Sequence, residues 1–193
     1  MTSQVPRSSM IMFTQHTPDS APEKARPLLD GAIAKLGFLP NLYAHLAEAP
    51  AALEAYFGLS AQFDKTSLTP AERQVVLIAA SVENGCEFCV AAHSMMARDM
   101  VKLPAETVDA LRAAETLPQP RLDALARFTR ALMRDRGWVS DESSSALFDA
   151  GFNQQQALEV VLGVAMKTLS NYANHLTGTQ TNPELAAHAW TKP

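Results

Sequence analysis

The sequence predicts an all-α fold, a bundle of about eight helices. Three observations predict it. Long segments repeat apolar residues at helical spacing. Prolines and glycines sit at the joints between those segments. No stretch alternates apolar and polar residues in the way a half-buried strand does. The chain has 193 residues, 47% hydrophobic and 19% charged, enough apolar material to bury a core without disulfide or metal staples. The expected organisation is an irregular segment over 1–19, then a single helical domain over 20–193.

The elements follow in order. Ser20-Ala-Pro-Glu23 has the form of a helix start, with proline in the first turn and glutamate at the capping-box position. That helix runs to about Lys35 and stops near Gly37. Leu39-Pro40 breaks the chain, a short helix starts at Asn41, and Pro50 opens another to about Phe63. Thr69-Pro70-Ala71-Glu72 is the clearest start: Thr69 accepts from orphan amides, Pro70 has no N–H to leave unpaired, and Glu72 reaches back. The run Val75–Ala80 is apolar on all sides, so this helix should be buried. Asn84-Gly85 ends it, and a helix over about 86–100 starts at a cysteine. Further helices are expected at 104–114, 119–134, 143–150 and 153–175, the last with a core stretch from Ala157 to Leu169.

Composition excludes some functions. Lys and Arg number 16 against 20 Asp and Glu, a net charge of −4, and no basic stripe points to nucleic acid. No run of 18 apolar residues suits a membrane span, and the apolar patch Met10–Phe13 is too short for a signal-peptide core. The expected compartment is the cytoplasm. The chain's two cysteines lie three apart, at 86 and 89. In a reducing compartment such a pair is more often catalytic or metal-binding than a staple.

The stretch that carries chemistry is Glu83-Asn-Gly-Cys86-Glu-Phe-Cys89-Val-Ala-Ala-His93. With Cys86 in the first turn of a helix, Cys89 falls about 60° and His93 about 20° to one side of it. The three share a face, and Cys89 and His93 are an (i, i+4) pair. A helix N-terminus and a histidine both favour the thiolate, the reactive form of the thiol. His93 can take and return a proton. A thiolate attacks the O–O bond of a hydroperoxide, giving an alcohol and a sulfenic acid. A second cysteine closes that to a disulfide, which an external dithiol reopens. No bound cofactor or metal is required. Other readings stand beside this one. The pair suits disulfide exchange with, or redox sensing for, a protein partner. It also suits zinc with His93 and Glu83, in a non-catalytic helical oligomer, although no second Cys/His pair exists. Inert buried cysteines are the plainest reading.

Thr69–Ala97, with its capped apolar helix followed by Asn84-Gly85-Cys86-x-x-Cys89-Val-Ala-Ala-His93-Ser94, resembles the core motif of the carboxymuconolactone decarboxylase superfamily. Within it, the motif is similar to the alkylhydroperoxidase, AhpD-like branch. The similarity extends over roughly 40–135, and Lys167–His175 resembles a segment of its peroxidase-related members. The resemblance implies an AhpD-like all-α fold, hydroperoxide reduction through Cys86 and Cys89 with His93, and homo-oligomers, trimers or hexamers. It also implies an external dithiol as reductant, lipoyl or thioredoxin-like. It favours Cys89 as the attacking thiol, whereas helix position alone favours Cys86. Two positions depart from AhpD proper. A relay glutamate twelve residues before the first cysteine is Gln74 here, and a histidine just before the second cysteine is Phe88. Glu83 is then the candidate carboxylate, or else a surface residue at a helix end.

Outside this stretch, Asn171, Asn174 and His175 share helical spacing and read as a cap or interface, or as a pocket wall. His45 is a weaker candidate for the thiol pocket. His16 and His188 are expected at the surface, and Trp138 and Trp190 in a core or interface. Asp99 reads as a solvated charge. Met95 and Met96 read as core filling or as a soft lining for an apolar peroxide.

Overall fold

The computed structural model describes residues 13–192. Among them the chain forms nine α-helices and no strand. They are α1 (Arg26–Leu36), α2 (Asn41–Leu46), α3 (Pro50–Phe63), α4 (Pro70–Glu83), α5 (Glu87–Met95), α6 (Ala105–Arg112), α7 (Pro120–Arg134), α8 (Asp141–Asp149) and α9 (Gln154–Thr177). A π-helical turn, Met96–Met100, continues α5, and a 3-10 segment, Pro183–His188, follows α9. Neither was expected. No helix is long and apolar enough to cross a membrane. Residues 1–12 of the expected irregular segment lie outside the described residues.

The first helix starts later than Ser20. The Ser20 hydroxyl is turned back into the preceding loop, where it accepts from the Thr17 N–H at 2.9 Å. The chain then turns at 23–25 and α1 begins at Arg26 with a proline in its own first turn. Gly37 ends α1 in the left-handed region, at φ 81°. That is the conformation a glycine adopts without penalty.

Helix α4 is the centre of the bundle, packed by α5, α6, α7 and α9. Its start has the expected capping box: Thr69 Oγ1 accepts from the Glu72 N–H at 3.2 Å, and Glu72 accepts from the Thr69 N–H at 2.8 Å. Glu72 is buried and also pairs with Arg121 Nε of α7 at 2.8 Å, so the cap doubles as a tie between helices. Val75 through Ser81 are buried without a break.

Helix α9 is not core on all sides, although Ala157–Leu169 is apolar nearly all round. Leu158 and Val161 are 71% and 45% exposed, because α9 lies at the edge of the bundle, with its packed neighbours on one side. Its buried face is Val160, Gly163, Met166, Lys167, Ser170, Asn171 and Asn174. That face turns from apolar to polar as it passes the cysteines. Gly163 brings α9 against α3 and α4: a Cβ there would stand 2.8 Å from Phe63 Cε2 and Val76 Cγ1. The expected cost of Gly163→Ala is about 1–3 kcal/mol, read from equilibrium urea unfolding. An unchanged midpoint would show that the close approach is not needed for packing.

Candidate active site

The sharp turn between α4 and α5 sets the cysteines. Gly85 takes φ 67°, and Cys86 then sits extended at the N-cap of α5 (φ −90°, ψ 96°), its N–H donating to Ser81 O at 2.9 Å. Cys86 therefore precedes the helix, and Cys89 occupies the first turn. Both thiols are free and buried, 1% and 2% exposed. The Asn174 amide donates to both sulfurs, at 3.4 Å to Cys86 and 3.3 Å to Cys89. The Cys89 sulfur lies 3.8 Å from Ser170 Oγ.

His93 is buried but is not bonded to either cysteine. Its Nδ1 is 3.2 Å from Gln74 Oε1, an acceptor, which makes Nδ1 the protonated nitrogen. Nε2 faces Lys167 Nζ at 2.8 Å, so the ammonium donates to it. Burial, and then the Lys167 charge, hold the imidazole well below its usual range, so it is neutral. The position where AhpD proper has its relay glutamate thus holds an amide that fixes the histidine tautomer. Glu83 is not part of this group. It is exposed at the end of α4, and its charge acts on Arg130 and Arg134 of α7. The left-handed turn at Gly85 carries Cys86 inward and leaves Glu83 outside.

Electrostatics separate the two thiols. Burial opposes ionisation of Cys89, but three influences together bring it down to about 5. These are the hydrogen bond from Cys86, the Lys167 charge, and the polar side chains of Ser170 and Asn171. The Cys86 thiol is pushed up by the proton it gives to Cys89, then by burial and by the Cys89 charge. Cys89 is the thiolate and Cys86 the thiol that donates to it.

Cys89, His93, Gln74 and Lys167 line one cavity of about 660 Å³. Its other walls are mostly apolar, with Tyr43, Tyr56, Phe57 and Phe88 prominent, and Lys35, Ser60, Asp64 and Arg73 also line it. Met95, Met96 and Met100, around the π-helical turn, join them with Met166. A widened helical turn of this kind re-aims side chains. Burial drives the phenols of Tyr43 and Tyr56 upward, so both keep their protons. Cys86 lies behind Cys89 and does not line the cavity.

The remaining candidates fall elsewhere. Asn171 and Asn174 are buried beside the thiols, and His175 at the end of the same helix is exposed. His45 is bonded to Thr14 O at 3.2 Å, away from the cavity. His16 is buried rather than exposed, paired with Glu48 at 2.6 Å. His188 is half-buried and meets Asp99 at 3.1 Å. Trp138 is 89% exposed, and Trp190 donates to Arg112 O at 3.1 Å. Among the described residues no three His, Cys, Asp or Glu side chains are placed to hold a metal. The ammonium on His93 Nε2 occupies the direction from which a zinc ion would be bound. The residue that sequence reasoning missed is Lys167; its one signal was a charge inside a long apolar run.

Residues 47–131 match the profile of the carboxymuconolactone decarboxylase family. Those 85 residues are the part of the chain that matches this family, and the chain has the AhpD-like fold. An AhpD-core, peroxidase-related protein of uncharacterised function from Ralstonia eutropha JMP134 is 25% identical, with a TM-score of 0.77 over 90% of this chain and 94% of its own. A peroxidase-related protein from Silicibacter sp. TM1040 is 19% identical, with a TM-score of 0.75 over 96% and 97%. A cysteine-to-alanine variant of the debrominase Bmp8, in complex with 2,3,4-tribromopyrrole, is 18% identical, with a TM-score of 0.76 over 93% and 96%. These last two share the AhpD-like fold. No curated protein matches the sequence.

The thiol asymmetry has a direct readout. Iodoacetamide should modify Cys89 at a level rate around neutral pH, with the rate falling as pH drops through about 5. Cys86 should stay unmodified until alkaline pH. In Cys86→Ala the donated hydrogen bond is gone, and the Cys89 inflection should move upward. Peptide mass spectrometry of quenched samples measures each thiol, and equal reactivity of the two would contradict the assignment.

Proposed function

We propose that this protein is a thiol-dependent hydroperoxide reductase in which Cys89 attacks and Cys86 resolves. The observation that carries this reading is a thiolate on the wall of an apolar cavity, with a second, protonated thiol directly behind it. The Cys89 thiolate attacks the outer oxygen of ROOH. The S–O bond forms, the O–O bond breaks, and the alkoxide leaves as alcohol once protonated. The Cys86 sulfur then attacks the Cys89 sulfur, and water leaves as the disulfide closes. An external dithiol restores both thiols by exchange. Neutral His93 holds the proton-bearing group at the cavity wall, with its tautomer set by Gln74.

Cavity size and lining favour an organic hydroperoxide over hydrogen peroxide. They also disfavour direct exchange with a folded protein partner, because Cys89 is only 2% exposed and opens to a cleft. A dithiol on a slender arm, such as lipoyl, fits that access better than a thioredoxin-like domain. The apolar outer side of α9, with Leu158, Tyr172 and Leu176 exposed, supports the homo-oligomer.

A second substrate class suits the same aromatic walls. A halogenated aromatic ring, of the kind bound by the fold relative Bmp8, would give its halogen to the Cys89 thiolate. Cys86 would then displace halide, and the Cys86 proton would go to the ring.

The deciding experiment is a thiol count before and after one equivalent of cumene hydroperoxide, followed by stopped-flow kinetics of wild type, Cys86→Ser and Cys89→Ser. Both thiols of wild type should be lost rapidly. Cys86→Ser should stop as a Cys89 sulfenic acid, and Cys89→Ser should fall to the rate of a free thiol. Thiols that persist in peroxide but are lost with bromide release on tribromopyrrole would move the assignment to dehalogenation.

A further inference from the structure

Lys167 is fully buried midway along α9. Its Nζ is 2.8 Å from His93 Nε2, and no carboxylate pairs with it among the described residues. The titratable and charged side chains around its cavity come from five helices, α1 to α5, and their ends. They are Lys35, Tyr43, Tyr56, Asp64, Arg73, Cys89 and His93. Asp64 is engaged with Arg73 at 3.8 Å and largely exposed, and both phenols keep their protons. The negative charge left for Lys167 is the Cys89 thiolate, and the Lys167 charge acts on that thiol directly.

Burial of an unpaired ammonium is costly, and the thiolate disappears on oxidation. We propose that Lys167 is the acid of the thiol cycle, giving up one proton each time Cys89 loses its charge, so that the buried site stays neutral throughout. The inference rests on the dithiol chemistry proposed for Cys86 and Cys89. The balance is complete. The Cys89 electron pair goes to the outer peroxide oxygen, and the alkoxide leaves with the O–O pair. It takes its proton from Lys167, which lines the cavity where the alkoxide forms. A neutral sulfenic acid and a neutral amine remain. Cys86 then attacks Cys89, and the departing hydroxide takes the Cys86 proton and leaves as water. Two electrons have passed from the thiols to the peroxide. On reduction an external dithiol becomes a disulfide, and its two protons return to Cys86 and Lys167. His93 is a positioning residue here: protonated on Nδ1 by its bond to Gln74, it presents only an acceptor to the lysine.

Proton counting tests this. Reduced protein is oxidised once at neutral pH, in weakly buffered indicator solution, by the thiol oxidant diamide and separately by cumene hydroperoxide. With Lys167 as the acid, each disulfide forms with no net proton taken from solvent. With a merely structural Lys167, the thiolate-to-disulfide step takes up one proton per disulfide, and that result overturns the proposal. Lys167→Arg keeps the charge but cannot release the proton, so it should keep the low thiolate midpoint and take up one proton per disulfide. Proton-neutral oxidation of Lys167→Arg would also overturn the proposal. Lys167→Met should raise the midpoint of the Cys89 ultraviolet thiolate absorbance by more than about one pH unit. If hydroperoxide leaves the thiols intact while diamide oxidation is proton-neutral, the substrate reading fails and the assignment of Lys167 stands.

Discussion

A lysine ammonium is buried in this molecule, and among the described residues no carboxylate pairs with it. Much of the site's organisation follows from that constraint. A buried cation needs an acceptor and a counter-charge. The acceptor is His93 Nε2, and it is free to accept because Gln74 takes the proton on the other ring nitrogen. The counter-charge is a cysteine, and the neighbouring thiol supplies the hydrogen bond that lets Cys89 carry it against the cost of burial. A relay built on a carboxylate would have neutralised the lysine without involving sulfur. With an amide at position 74, the lysine can act on the thiol instead.

The scaffold makes this possible by rigid placement. Helix α4, buried along most of its length, carries Gln74 on one side and ends in the Asn84–Gly85 turn that aims Cys86 inward. Helix α9 crosses it closely at Gly163. From there its buried face presents Lys167, Ser170, Asn171 and Asn174 at spacings of three and four, in line with the cysteines. Asn174 spans the two sulfurs, while Asn171 is held by Asn84 at 2.9 Å, which ties the floor of the site to the turn above it. On the cavity side, α2 and α3 contribute the aromatic wall with Tyr43, Tyr56 and Phe57, and α1 adds Leu28 and Ala32.

Several features were legible in the residues alone because their causes are local. The Thr69–Glu72 capping box, the proline start at 50, and the glycine stops at 37 and 85 are decided within a few residues of backbone. The apolar run in α4 meant burial because no face of that helix was polar. The same reasoning overreached in α9, whose apolar run lies at the bundle's edge with Leu158 and Val161 in solvent. Burial depends on neighbours, and an apolar run does not name them. The start assigned to Ser20 failed because the serine has a competing partner in Thr17.

The sequence by itself determined the helical architecture and the chemistry available: two thiols three apart at a helix start, and a histidine one turn on. Tertiary structure alone decided which groups act on them. Lys167 is 74 residues from His93 in the chain and Asn174 is 85 from Cys89, so no local pattern joins them. A lone lysine on a helix ordinarily reaches water; here the packing of α9 over α4 closes off that route. The positive φ at Gly85 put Cys86 inside and Glu83 outside, which three residues of sequence spacing left open. Charge placement in a core is a property of what surrounds it, and the surroundings are assembled from segments far apart in sequence.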